Sequence, residues 1–310
     1  VKRRPLGTTG LQVSELSFGA APLGNVYGTV DAATGEAAVR AALDLGINLF
    51  DAAPFYGLTA AESALGRALR GVDRDDYLLT TKVGRYGERD FDFSADRVTR
   101  SVDESLARLG TDRIDVIQCH DVEFGDLRRI ADETVPALHA LRDAGKVRFV
   151  GVTGYTLPAL AWLVDRGGID TVMTYCEYTL QDRRLALFKD RFPASLNASP
   201  LGMGALSGRG APSWHPAPPD VLRACDEAAA YCRSRGADLA KLALQFAVAT
   251  ADQAGAATTV VGSADPANVA RNVSWIADPI DPELLAGVES ILAGVRDVGW
   301  TSGLPENQRP

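Results

Sequence analysis

Residues 94–120 read "SADRVTRSVDESLARLGTDRIDVIQCH", a helix pattern that gives way to a strand pattern. Val98, Val102, Leu106 and Leu109 recur at spacings of three and four, which puts them on one face of a helix. Ser94 is a natural acceptor for the first free amides of that helix, and Gly110 a natural stop. The run "IDVIQCH", from Ile114 to His120, then has the length and composition of a strand and ends on an ionisable residue.

The same pairing recurs along the chain. β-rich runs begin at Leu16 ("LSFGA"), Ile47 ("INLFDAA"), Tyr77 ("YLLTTKV"), Ile114 ("IDVIQCH"), Val147 ("VRFVGVTG"), Thr171 ("TVMTYC"), Ala194 ("ASLNASP") and Thr258 ("TTVVG"). Amphipathic helical stretches follow them. Eight strand–helix units with short links predict an α/β fold, one (β/α)8 TIM barrel occupying residues 1–310 as a single domain. A doubly wound sheet is the rival, but "FGAAPLGNVYG" spaces its glycines wrongly for the dinucleotide turn such a sheet carries. Three pieces fall outside the repeat. "RRPLGTTGLQVSEL" reads as an N-terminal β-hairpin, residues 202–220 form a long Gly/Pro-rich loop, and a C-terminal helix with its tail "VRDVGWTSGLPENQRP" is expected over the barrel mouth.

Bulk properties narrow the partners. The net charge of -8 argues against nucleic acid or an anionic membrane surface, and no window reaches the length of a membrane span. The start "VKRRPLGTTG" has no apolar stretch behind it, so it is not read as a secretory signal. Cys119, Cys176, Cys225 and Cys232 form no C-x-x-C pair and read as small buried thiols of a reducing cytoplasm. His139 falls in a helix, where a surface or packing role is expected, and His215 in the long loop as an anchor. Three separated histidines without nearby ligand spacing argue against a catalytic zinc. "RGVDRDD" reads as a solvated helix end. A monomer or small homo-oligomer is expected.

On a barrel, side chains at the C-terminal ends of the strands share one mouth. Asp51 ends the second predicted strand with Tyr56 just beyond it, Lys82 ends the third, and His120 ends the fourth. An ammonium near a phenol stabilises the phenolate, a carboxylate holds the ammonium in place, and an imidazole orients a carbonyl or hydroxyl oxygen. Singly, each has a bland alternative: a surface lysine, a turn-forming aspartate, a structural histidine. Together they describe a proton-transfer site built around Tyr56.

The segments "DAAPFYG", "TTKVG", "RSVDESLARLGTDRIDVIQCH", "GKVRFVGVTG" and "SPLGMG" occur in order, and the chain resembles the aldo-keto reductase superfamily over essentially its whole length. The resemblance implies that Tyr56 is the general acid/base, Lys82 the group that lowers its pKa, Asp51 the partner of that lysine and His120 the substrate-orienting imidazole. It also implies a nicotinamide cofactor, held by Thr153, by Ser199, Leu201 and Gly202, by Gly262 and Ser263 at the phosphates and by Asn272 at adenine. Two departures stand out. A Ser-Asn pair of the family is Thr153-Gly154 here, and a tyrosine that stacks on nicotinamide is Ala198. The basic residue of NADP users falls near Asn268, with Asp265 close by and Arg271 adjacent, which implies NAD over NADP. "GRYGERDFDFSADRV", "CHDVEFGDL", "SWHPAPPD" and "WTSGLPENQ" look like segments of the aldose 1-dehydrogenase branch. The implied reaction is oxidation of C1 of an aldose of the L-galactose or L-fucose type. The rivals are an NADPH-dependent reductase of small aldehydes, a dehydrogenase of a non-sugar alcohol such as pyridoxal, and a cofactor-binding channel subunit.

Overall fold

A computed structural model describes residues 1–26 and 28–308, so Tyr27 of the early glycine run lies outside the described residues. β1 (Arg3–Pro5) and β2 (Gln12–Ser14) form an antiparallel hairpin. Eight parallel strands then close on themselves: β3 (Leu16–Gly19), β4 (Leu49–Asp51), β5 (Leu78–Val83), β6 (Ile114–Cys119), β7 (Val147–Gly154), β8 (Thr171–Tyr175), β9 (Ser195–Ala198) and β10 (Ala256–Gly262). β10 pairs with both β9 and β3, which seals the barrel. All eight sequence-predicted strands are these eight. Parallel barrel strands are covered on both faces, which is why they read as apolar runs.

The outer layer consists of α1 (Ala32–Asp44), α2 (Ala60–Ala68), α3 (Ala95–Leu109), α4 (Leu127–Arg129), α5 (Val135–Asp143), α6 (Leu157–Val164), α7 (Pro219–Ser234), α8 (Leu239–Ala249), α9 (Pro266–Ala277) and α10 (Pro282–Leu292). α3 is built as its sequence dictates. Ser94 Oγ accepts from Arg97 N, Gly110 adopts φ 67°, and Val98, Val102 and Leu109 are buried. A cap of this kind contributes about 1 kcal/mol.

The hairpin plugs the N-terminal end of the barrel. Leu6, Leu11 and Val13 pack with Leu49, Val116, Met173 and Leu196 in one buried cluster. Asn48, entering β4, fastens it: its side chain accepts from Ser14 N at 2.7 Å and donates to Gln12 O at 2.8 Å. The opposite end is therefore the open one. The C-terminal tail crosses that end, with Leu304 N and Asn307 Nδ2 donating to Glu123 O at 2.8 and 2.9 Å. Trp300 stacks on Tyr155 with ring centroids 4.3 Å apart.

"RGVDRDD" follows directly on α2, which stops at Ala68, and is mostly exposed, but Arg74 within it turns back under the barrel. Its guanidinium donates to Tyr77 O, Arg113 O and Asp115 Oδ2 at 2.7–2.9 Å, tying the entries of β5 and β6 together at the plugged end. All four cysteines are free and buried. His139 bonds Gly168 O, and His215 Nε2 bonds Gly202 O at 2.9 Å, anchoring the long loop. No helix among the described residues is long and apolar enough to cross a membrane.

Candidate active site at the barrel mouth

Asp51, Lys82 and His120 stand at the ends of β4, β5 and β6, three neighbouring strands, and Tyr56 lies in the loop after β4. Lys82 is 1% exposed and Asp51 3%. The ammonium donates to Asp51 Oδ1 and Oδ2 at 2.8 and 2.7 Å and to Ala52 O at 2.8 Å, so all three of its hydrogens are directed. Thr80 Oγ1 donates to Asp51 Oδ1 at 2.6 Å and fixes the carboxylate from below. Above this pair, Lys82 Nζ lies 4.7 Å from the centroid of the Tyr56 ring. A cation there attracts the ring face and favours the ionised phenol.

The Tyr56 turn is positioned by a close backbone approach. Gly57 adopts φ 60°, and a Cβ on it would lie 2.0 Å from Gly24 O; one on Gly24 would lie 2.7 Å from Tyr56 O. Only glycines let these two loops touch. His120 completes the group, its ring edge-on to Tyr56 with centroids 5.6 Å apart. Burial, then the charges of Lys82 and Arg85, hold His120 well below its ordinary pKa, so the imidazole is neutral. Its Nδ1 is buried without a protein partner. The arrangement offers a phenol over a fixed ammonium beside a neutral imidazole that can hydrogen-bond an oxygen.

The residues expected to hold a cofactor occupy the other arc of the same rim. Thr153 is at the end of β7, Ser199, Leu201 and Gly202 follow β9, and Gly262 and Ser263 end β10, which leads into α9 and Asn272. Ser199, Gly202, Met203 and Gly204 all have positive φ, and the turn is closed by its own bonds, Gly202 N donating to Ser199 O and Gly204 N to Leu201 O. Gly262 lies against Gly19 and Pro22. The Thr153 hydroxyl fits a carboxamide, and the N-terminal end of α9 fits a dinucleotide phosphate. Ser263 Oγ is already engaged with the Asp265 backbone, which leaves its amide as the donor on offer. Asp265 caps α9 by accepting from Ala267 N at 2.8 Å. Arg271 bonds Asn268 and lies over Trp275, 5.0 Å from the ring centroid. Tyr175 pairs in register with Ala198, so an aromatic ring is supplied to the rim by β8.

Three charged residues at the mouth had no individual role in the sequence reading. Arg85 follows β5 and forms an ion pair with Asp121, which follows His120. Glu123 is fully buried under the tail, its Oε1 accepting from Tyr155 N at 2.8 Å and Ser302 Oγ at 3.1 Å. Its Oε2 has no partner and occupies the space a Cβ on Gly154 would need, 2.2 Å away. The glycine that replaces an asparagine thus makes room for this carboxyl. Their signals were local but mute: a carboxylate directly after the strand-ending histidine, and an arginine directly after the "KVG" turn.

Burial, then the charge of Asp121, push Glu123 up to about 8 from an ordinary 4.5. A carboxyl that is neutral when folded and ionised when unfolded binds more protons in the native state. Its contribution is complete below the ordinary glutamate value and disappears as pH rises through the folded value. Thermal melting from about pH 5 to about pH 9 is therefore expected to fall in the wild type and to flatten in Glu123→Gln. Identical slopes in the two proteins count against a neutral buried Glu123.

A cavity of about 250 Å³ lies between Tyr155, Glu177, Arg184, Phe188 and Trp300 and is lined by none of Asp51, Tyr56, Lys82 and His120.

Comparison with known proteins gives the class. The model of the Aldo/keto reductase family matches residues 15–293, and the chain belongs to that family of oxidoreductases, which use nicotinamide cofactors. Within it, the chain is similar to L-galactose dehydrogenase of Arabidopsis thaliana, 42% identical over 99% of both chains. It is also similar to D-threo-aldose 1-dehydrogenase of Pseudomonas sp, 29% identical over 93% of this chain and 95% of that one. Among solved structures, the holo form of an aldo-keto reductase from Bacillus halodurans superposes with a TM-score of 0.79 at 26% identity, covering 99% of each chain.

Proposed function

We propose that this protein oxidises C1 of an aldose of the L-galactose or L-fucose type to the aldonolactone, with NAD. The observation that carries the reading is the Tyr56 ring above the buried Asp51–Lys82 pair, with a neutral His120 beside it. In the forward direction Tyr56, favoured as phenolate by the ammonium, accepts the proton of the C1 hydroxyl. His120 hydrogen-bonds the same oxygen and so turns the single C1 hydrogen toward the cofactor arc. Bound NAD supplies the hydride acceptor for C1, with Thr153 at its carboxamide and Ser199, Leu201, Gly202, Gly262, Ser263 and Asn272 along its length. C1 loses a hydride and its hydroxyl oxygen a proton, which leaves the lactone carbonyl.

The choice of NAD is supported by the acid at the helix cap. Asp265 occupies the start of α9, where a 2′-phosphate wants a cation, and Arg271 is held to Asn268 and Trp275. The sugar class is supported by the full-length similarity to two aldose dehydrogenases. Steady-state reduction of NAD and NADP across L- and D-aldoses tests both. The expected result is a kcat/KM for L-galactose or L-fucose with NAD that exceeds every D-enantiomer and every NADP reaction. A preference for NADPH and small aldehydes, or turnover of pyridoxal alone, overturns it.

A further inference from the structure

The proposed reaction leaves unused an ion pair that touches its histidine. Asp121 Oδ2 is bonded by Arg85 Nη1 and lies 3.7 Å from His120 Nε2. The two side chains are only 18% and 5% exposed. Among the described residues Asp121 Oδ1 and Arg85 Nη2 take no protein hydrogen bond and neither is sealed from solvent, so both are open to a ligand, while Arg85 Nε reaches Gly87 O at a long 3.4 Å. The pair therefore presents one acceptor and one donor, side by side, next to the reactive imidazole. Asp121 also holds a left-handed φ of 50°, a backbone state tolerated mainly at sites that need it.

Aromatic rings fix the arginine. Its guanidinium carbon lies 3.7 Å from the Phe55 ring centroid and 5.2 Å from that of Phe91, which stacks on Phe124. The Phe55 ring also lies 6.0 Å from the His120 ring, so one apolar surface runs from guanidinium to imidazole. A ligand suited to this surface has C–H faces and, on one edge, neighbouring hydroxyls that both donate and accept. That is a pyranose edge, and vicinal oxygens lie about as far apart as two hydrogen-bonded atoms.

We propose that Asp121, held by Arg85, accepts a hydrogen bond from the C2 hydroxyl of the aldose and so sets the orientation of its ring; this rests on the aldose reading above. With the C1 oxygen on His120 Nε2, the neighbouring oxygen falls to Asp121. An ionised carboxylate only accepts. The ring oxygen has no hydrogen to give, so the side of C1 that faces Asp121 is the C2 side. Arg85 Nη2 remains as donor to the same hydroxyl or the next one. Asp121 is thus a specificity residue that touches substrate, and Arg85 a positioning residue.

The test compares two substrates across three enzymes. L-galactose and 2-deoxy-L-galactose are compared in the wild type, Asp121→Ala and Asp121→Asn, reading kcat/KM with NAD. In the wild type, loss of the C2 hydroxyl is expected to cost about 30-fold, the value of a hydrogen bond to a charged group. Asp121→Ala is expected to lose a similar factor on L-galactose and almost nothing on the 2-deoxy sugar, so the two substrates converge. Asp121→Asn, of equal size and with a neutral acceptor, carries the test if the alanine variant does not fold, its 2-deoxy penalty falling to the several-fold value of an uncharged hydrogen bond. Equal losses on both substrates show that Asp121 works through His120 or the fold, and overturn the proposal; so does an undiminished 2-deoxy penalty. If the wild type oxidises no aldose, the aldose reading itself falls. Equilibrium binding of the same two sugars to the NADH-loaded protein then decides the pair, and equal or absent binding overturns it.

Discussion

Tyr56→Phe is expected to lower kcat by about three orders of magnitude while leaving the fold and NAD affinity unchanged, the range general acid–base catalysis supplies being 10²–10⁴. The substitution removes one oxygen and nothing else that the ring does. Phenylalanine keeps the face presented to Lys82, 4.7 Å from the centroid, and the edge contact with His120. The backbone approach between Gly24 and Gly57 is also untouched. What is lost is the acceptor for the C1 hydroxyl proton. Such an interaction is made in the transition state, so kcat and kcat/KM should fall together with KM for NAD unchanged. Steady-state kinetics and fluorescence titration of NADH read the two halves of this statement. A variant that retains more than about a tenth of wild-type kcat removes Tyr56 from the role of base.

The legible part of this molecule and the illegible part differ in a physical way. The eight strands could be read because each is covered on both faces and written mostly in apolar and β-branched residues. α3 could be read because its two ends carry their own stop signals, Ser94 and Gly110, in the local sequence. The tetrad could be read because a barrel converts "last residue of a strand" into "same mouth". Arg74, Arg85 and Glu123 had no such conversion. Each is a charged residue in a loop, where solvent is the default expectation, and each is bonded to a segment distant in sequence. Arg74 is covered by the start of β6, and Glu123 by a tail about 180 residues away, as the Asn307–Glu123 bond shows. The Arg85–Asp121 pair joins two loops 36 positions apart. Long-range pairing of charges leaves no period and no cap in one sequence, so only coordinates reveal it.

The Asp51–Lys82 pair is expected to behave asymmetrically under substitution. Removing Asp51 alone leaves an ammonium 1% exposed with two of its three acceptor contacts gone. Removing Lys82 alone leaves a carboxylate 3% exposed with Thr80 as its remaining side-chain donor. Breaking one side of a buried pair costs about 3–5 kcal/mol, whereas replacing both sides with apolar groups of similar volume is close to neutral. Asp51→Leu and Lys82→Met should therefore each lower urea stability by about that amount, and the double variant should recover most of it. Activity follows a different rule. Without the ammonium nothing favours the phenolate of Tyr56, so the double variant should fold and still turn over no faster than Lys82→Met. Recovery of stability together with activity would make the pair a structural element only. Recovery of neither would mean that the volume, not the charge, at this strand end holds the mouth together.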